Sequence, residues 1–240
     1  MRCPKCGLDQ SDANTECLRC GLIFSRYKPA SQRPTPRPAP PGPLKRTIEY
    51  LLPGDAGQPA FIVLKGVFLL LLLLWSLRFL GASIESNYVG RSFMHLVNLP
   101  FHEAGHLVFR PFGRIMHSLG GSLGQVIMPL TCALVLLVKT RDPFGASVAL
   151  WWTGESVLDI APYINDARRM TLQLLGGNTG AAAPYGFHDW NFILTELGAL
   201  HSARRLAQAV ETAGKSLMVL ALLWGASVLL RQALGTARSS

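Results

Sequence analysis

The chain has 240 residues, of which 49% are hydrophobic and only 15% charged, with a mean hydropathy of +0.27. That balance excludes an ordinary soluble domain, which carries about a quarter charged residues. The excess of 23 Lys+Arg over 14 Asp+Glu leaves nucleic acid, an anionic membrane surface or positively charged cytoplasmic loops as explanations, and the hydrophobicity favours the last two.

Residues 1–28 hold four of the five cysteines, as Cys3-Pro-Lys-Cys6-Gly7 and Cys17-Leu-Arg-Cys20-Gly21. Two Cys-x-x-Cys pairs at this separation can close a tetrahedral four-thiolate site. A glycine after each second cysteine lets the backbone turn so that amides point at the sulfurs. The pattern resembles a zinc ribbon, which implies one structural Zn²⁺ on Cys3, Cys6, Cys17 and Cys20. So short a segment cannot build a core, so the metal would supply its folding energy. Thiolate ligands need a reducing compartment, which places the N-terminus in the cytoplasm. The polar, cysteine-rich start does not read as a secretory signal. Such a ribbon could dock a protein partner. Nucleic acid is the weaker reading, because only Phe24 and Tyr27 are available for stacking.

Residues 29–59 read as a linker, with prolines that keep their first half extended. From 60 to 235 the sequence predicts a polytopic α-helical membrane domain, making the fold mainly α. Apolar helices are expected at about 61–80, 97–112, 119–138, 143–163 and 216–234, with a polar segment at 165–214. The first contains six consecutive leucines, Leu69 to Leu74. Twenty helical residues span about 30 Å, the thickness of a bilayer's hydrocarbon core.

The second apolar segment contains His102-Glu103-Ala104-Gly105-His106. On a helix His102 and His106 leave the same face about 40° apart, within reach of one Zn²⁺. Glu103 beside them could take a proton from an activated water. Asn98 is read as the cap of this helix and Pro100 as part of its first turn. The Gly-rich stretch Leu119 to Gln125 reads as a tight loop or extended strand near the site. In the fourth segment Glu155 and Asp159 stand at i and i+4, and carboxylates in a membrane segment need partners, of which a metal is one. His188 is a further candidate ligand. His95, His117 and His201 fit no constellation in the sequence.

A His-Glu-x-x-His in a membrane segment, followed two apolar segments later by Leu158-Asp159, resembles the site-2 protease family of intramembrane zinc metalloproteases, over roughly residues 90 to 165. The resemblance implies His102, His106 and Asp159 as ligands of a catalytic Zn²⁺ and Glu103 as the base. The chain departs from the family pattern in having Ile160 where a glycine follows the aspartate. Glu155 and His188 therefore stay open as alternative ligands. The expectation is a membrane-embedded zinc metalloendopeptidase in the bacterial inner membrane, acting on membrane-associated protein or peptide substrates. The alternative is an inactive membrane scaffold with a structural metal and a partner-binding ribbon.

Overall fold

The computed structural model describes residues 1–27, 42–53, 58–175 and 177–239. Of the proline-rich part of the expected linker, residues 29–41 lie outside the described residues. The chain divides into two compact units, Met1–Gly42 and Pro43–Ser240.

The first unit is two copies of one knuckle. Gly7 N donates to Cys3 O and Gly21 N donates to Cys17 O, both at 2.9 Å. The turns require φ of +74° at Gly7 and +66° at Gly21, a region that disfavours any side chain. Isolated bridges Arg2–Asp9 and Glu16–Ile23 close the two loops in the same way.

The second unit is helical, and no strand occurs among its described residues. Its α-helices are α1 (Pro43–Leu51), α2 (Pro59–Gly81), α3 (Phe93–Phe109), α4 (Arg114–Val138), α5 (Pro143–Asp166), α6 (Asp189–Glu196) and α7 (Ala203–Ser239). Three of them, α2, α4 and α7, are long and apolar enough to cross a membrane. On α2 the leucines 64, 70, 71, 74 and 77 are more than half exposed, so a belt of apolar side chains faces outward. That is costly in water and natural in lipid.

Helix α5 is the centre. It packs on α4 and α7, and most of its length is buried. Asp142 caps it by accepting from Gly145 N, and Pro143 occupies the first turn where its missing N–H costs nothing. Phe79, Met94, Trp151, Leu158 and Met218 join α2, α3, α5 and α7 in one apolar core. Trp151 Nε1 donates to Ser76 Oγ at 2.7 Å, so its polar edge is satisfied inside that core.

Two local expectations change. Helix α3 starts at Phe93 under a Ser92 cap, not at Asn98, and Pro100 lies inside it. Asn98 is fully buried, accepting from Trp152 Nε1 and Ser156 Oγ and donating to Glu155 and Asp159. The Gly-rich stretch is neither loop nor strand but the middle of α4. A Cβ at Gly105 would stand 2.0 Å from Gly120 O, and one at Gly124 2.3 Å from Phe101 O. The glycines therefore serve a backbone-to-backbone crossing of α3 and α4, the small-residue packing common between membrane helices. Helix α1 lies within the second half of the expected linker. That helix is fastened by Tyr50 Oη donating to Leu137 O and Trp224 Nε1 donating to Leu51 O.

Candidate metal centres and the cavity between helices

In the ribbon the four sulfurs lie within 4.8 Å of one another and could hold a metal ion. Cys3 and Cys20 are 3.8 Å apart and Cys6 and Cys17 3.5 Å. A tetrahedron with metal–sulfur bonds near 2.3 Å has edges of about 3.8 Å, so the donors are already placed for one. Desolvation works against a Cys3 thiolate, but the amides of Cys6 and Lys5 outweigh it and lower the thiol to about 6. Its anionic form is thus accessible near neutral pH.

The second centre lies where α3 crosses α4. The rings of His102 and His106 are 4.8 Å apart, one turn from each other on α3. Each ring is held through Nδ1. His102 Nδ1 donates to Gln125 Oε1 and His106 Nδ1 to the carbonyl of His117, both at 2.8 Å. Gln125 is held in turn, donating to Ser156 O. His117 returns the contact by donating from Nδ1 to His106 O. These bonds assign the proton to Nδ1 and leave both Nε2 lone pairs free, the tautomer a metal requires.

Both Nε2 atoms point at one carboxylate oxygen. Asp189 Oδ2 is 3.4 Å from His102 Nε2 and 3.4 Å from His106 Nε2. A tetrahedral site with bonds of 2.0–2.1 Å needs edges of about 3.3 Å. The space beside the nitrogens is kept open by Gly121. A Cβ there would sit 2.4 Å from His102 Nε2 and 2.6 Å from His106 Nε2. The residues present therefore fit a metal ion, by donor chemistry, by tautomer and by the room left for it. Gly121→Ala should consequently cost this centre its metal while leaving the ribbon's in place. Metal analysis of the purified chain checks this, with an expected fall from two ions per chain to one.

Asp189 is itself positioned. It is the first residue of α6, and Tyr163 Oη both accepts from its amide at 3.0 Å and donates to Oδ2 at 3.3 Å. Asn191 Nδ2 donates to Ala167 O, and Trp190 Nε1 donates to Ser122 Oγ, which ties α6 to α5's end and to α4.

The expected third ligand, Asp159, is placed elsewhere. Its two oxygens lie 3.0 and 2.9 Å from His95 Nδ1, and Asn98 Nδ2 donates to it at 3.3 Å. Among the described residues the metal-capable group with the histidine pair is completed by Asp189, not by Asp159. Glu155, one alternative, is fully buried beside Asp159, accepts from Asn98 Nδ2 at 2.9 Å and has an unpartnered Oε1. His188, the other alternative, caps α6 by accepting from Asn191 N and stacks on Tyr163 with centroids 4.4 Å apart. Its Nε2 lies 3.4 Å from Asp166. It therefore supports Asp189 next to it.

Glu103 lines a cavity of about 1110 Å³ together with His102, His106, Asp189, His95 and Asp159. Sequence reasoning passed over Asp189, whose only signal was its place beside His188 and Trp190 in a polar segment. It also passed over Gln125 and His117, whose roles depend on contacts across the helix crossing. Comparison with protein-family models, with curated proteins and with solved structures finds no match for this chain.

Proposed function

We propose that this chain is a membrane-embedded zinc metalloendopeptidase that cleaves membrane-associated protein or peptide substrates. The observation that carries the reading is the convergence of His102 Nε2, His106 Nε2 and Asp189 Oδ2 beside the gap at Gly121, in a cavity that Glu103 also lines. Three protein donors leave a fourth position open, the arrangement of catalytic rather than structural zinc. Zinc bound there would supply Lewis acidity toward a peptide carbonyl and toward water.

The chain's own residues do the rest. Glu103 accepts the proton that the attacking water gives up and returns it to the departing amine nitrogen. Gln125 and the His117 carbonyl keep His102 and His106 from turning away. A substrate helix must unwind to present a carbonyl, since its amides are otherwise paired within the lipid. The reading keeps the resemblance to site-2 proteases at His102, Glu103 and His106 but takes the third ligand from Asp189. The ribbon holds a structural zinc and recruits substrate or a protein partner. We place the chain in the bacterial inner membrane with its ribbon in the cytoplasm.

The test is cleavage of an unstructured reporter peptide by the purified chain in lipid nanodiscs, with metal stripped by chelator and zinc then returned. Loss and recovery of cleavage are expected. A metal-replete chain that cleaves nothing would leave a scaffold in place of an enzyme.

A further inference from the structure

Helix α1 lies well away from the histidine pair. Its Tyr50 Oη donates to Leu137 O, twelve residues beyond Gln125 on α4 and so about 18 Å further along that axis. At helical spacing Leu44, Ile48 and Leu51 share one face of α1, while Lys45, Arg46 and Glu49 lie toward the opposite side. The apolar face is not packed into the bundle, since Leu44 is 73% exposed and Ile48 40%. What fastens α1 is its C-terminal end, where Trp224 Nε1 donates to Leu51 O and Arg231 Nη1 to Leu52 O. Leu51 also lines a groove of about 360 Å³ with Leu52, Trp224 and Ser227, so the exposed face of α1 runs into an apolar groove on α7.

Cations surround this face. Lys45 and Arg46 are on α1 itself, Lys139 and Arg141 follow the Leu137 carbonyl that receives Tyr50, and Arg231 is on α7; all five are exposed. Among the described residues the same segments carry two carboxylates. Glu49 pairs with Lys45 at 3.9 Å, and Asp142 caps α5. Five cations against two carboxylates leave an excess of three positive charges. The next element is α2, which is long and apolar enough to cross a membrane. A short amphipathic helix just before such a span is suited to lie where hydrocarbon meets headgroups. The apolar face and groove need hydrocarbon and the cations need an anion; an anionic phospholipid supplies both in one molecule.

We propose that α1, the groove beside Trp224 and the cations around them form a binding site for an anionic phospholipid. The headgroup phosphate lies among the cations and an acyl chain follows the exposed face of α1 into the groove. The site is separate from the metal centre and stands whether or not the chain is a peptidase.

The probe is phosphatidylglycerol with a fluorophore on one acyl chain, titrated into the full chain in uncharged detergent. Phosphatidylcholine labelled in the same way is the comparison. A Lys or Arg near an anionic lipid surface contributes about fivefold. Phosphatidylglycerol should therefore bind at least about 25-fold more tightly than phosphatidylcholine, and salt at about 1 M should erase most of the difference. Lys45→Gln with Arg46→Gln should weaken phosphatidylglycerol about 25-fold and leave phosphatidylcholine unchanged. Leu44→Gln with Ile48→Gln should weaken both lipids alike. Arg204→Gln with Arg205→Gln, about 40 Å from Arg231 along α7, should change neither. Equal binding of the two lipids by the unmodified chain overturns the proposal, even if a variant fails to fold. An equal loss in the Arg204 and Arg205 variant also overturns it, because the preference would then be one of net charge. Tighter binding of a polyglutamate peptide than of phosphatidylglycerol would assign the patch to an acidic protein and overturns it as well.

Discussion

Glu103→Gln is expected to lower peptide cleavage by about 10²- to 10⁴-fold while both metals stay bound. That range is what a positioned general base contributes. Glutamine keeps the length and shape of the side chain but cannot take a proton, so the variant separates proton transfer from metal binding. Glu103 is absent from the metal-capable cluster of His102, His106 and Asp189, so the ligand set is untouched. Cleavage at the wild-type rate by this variant would exclude Glu103 as base. Loss of metal along with cleavage would make it a ligand.

Asp189→Ala is expected to weaken the membrane-domain metal at least about 100-fold and to abolish cleavage with it. Perturbing even the outer partners of a metal site costs about 10- to 100-fold in affinity, and under the proposed reading Asp189 is a donor itself. Among the described residues the carboxylate is also the one charged group within 3.4 Å of both Nε2 atoms. Asp159→Asn provides the contrast. That residue binds His95 and Asn98, so the variant should keep two metals per chain. Metal counting and titration on the two purified variants distinguish the two aspartates. A variant pair with the opposite outcome would return the third ligand to Asp159.

The comparison of these aspartates shows which parts of the site were legible in the sequence. His102 and His106 were, because their spacing alone puts them on one helical face. Asp159 stands out in the sequence because a carboxylate in an apolar segment needs a partner. The partner is His95, which no spacing rule connects to it because the two lie on different helices. Asp189 lies in a polar segment, where an aspartate is unremarkable, and only the docking of α6 against α4 brings it to the histidines. The ribbon was the easiest part to read, because its four donors sit in two local turns that need no tertiary contact.

The helices divide in the same way. Length and hydropathy sufficed for α2. The glycines of α4 misled because glycine ends helices in water, whereas here Gly105, Gly120 and Gly124 let two backbones touch. Gly214 and Lys215 interrupt the apolar pattern near the C-terminus, yet α7 runs unbroken from Ala203 to Ser239. Lys215 is accommodated by Glu211 and the carbonyl of Ala82, both at 2.8 Å. Asn98 has the chemistry of a capping residue, but its side chain instead joins Trp152, Ser156, Glu155 and Asp159, and Ser92 caps α3.

A metal held by two imidazoles and a carboxylate inside the helical unit has a direct spectroscopic signature. X-ray absorption at the zinc edge tests it on the full-length chain with Cys3, Cys6, Cys17 and Cys20 all changed to serine, which removes the sulfur donors of the other centre. One zinc per chain is expected, with two imidazole nitrogens and oxygen donors at about 2.0–2.1 Å and no sulfur. A chain that retains no zinc, or a shell without imidazole, would contradict it.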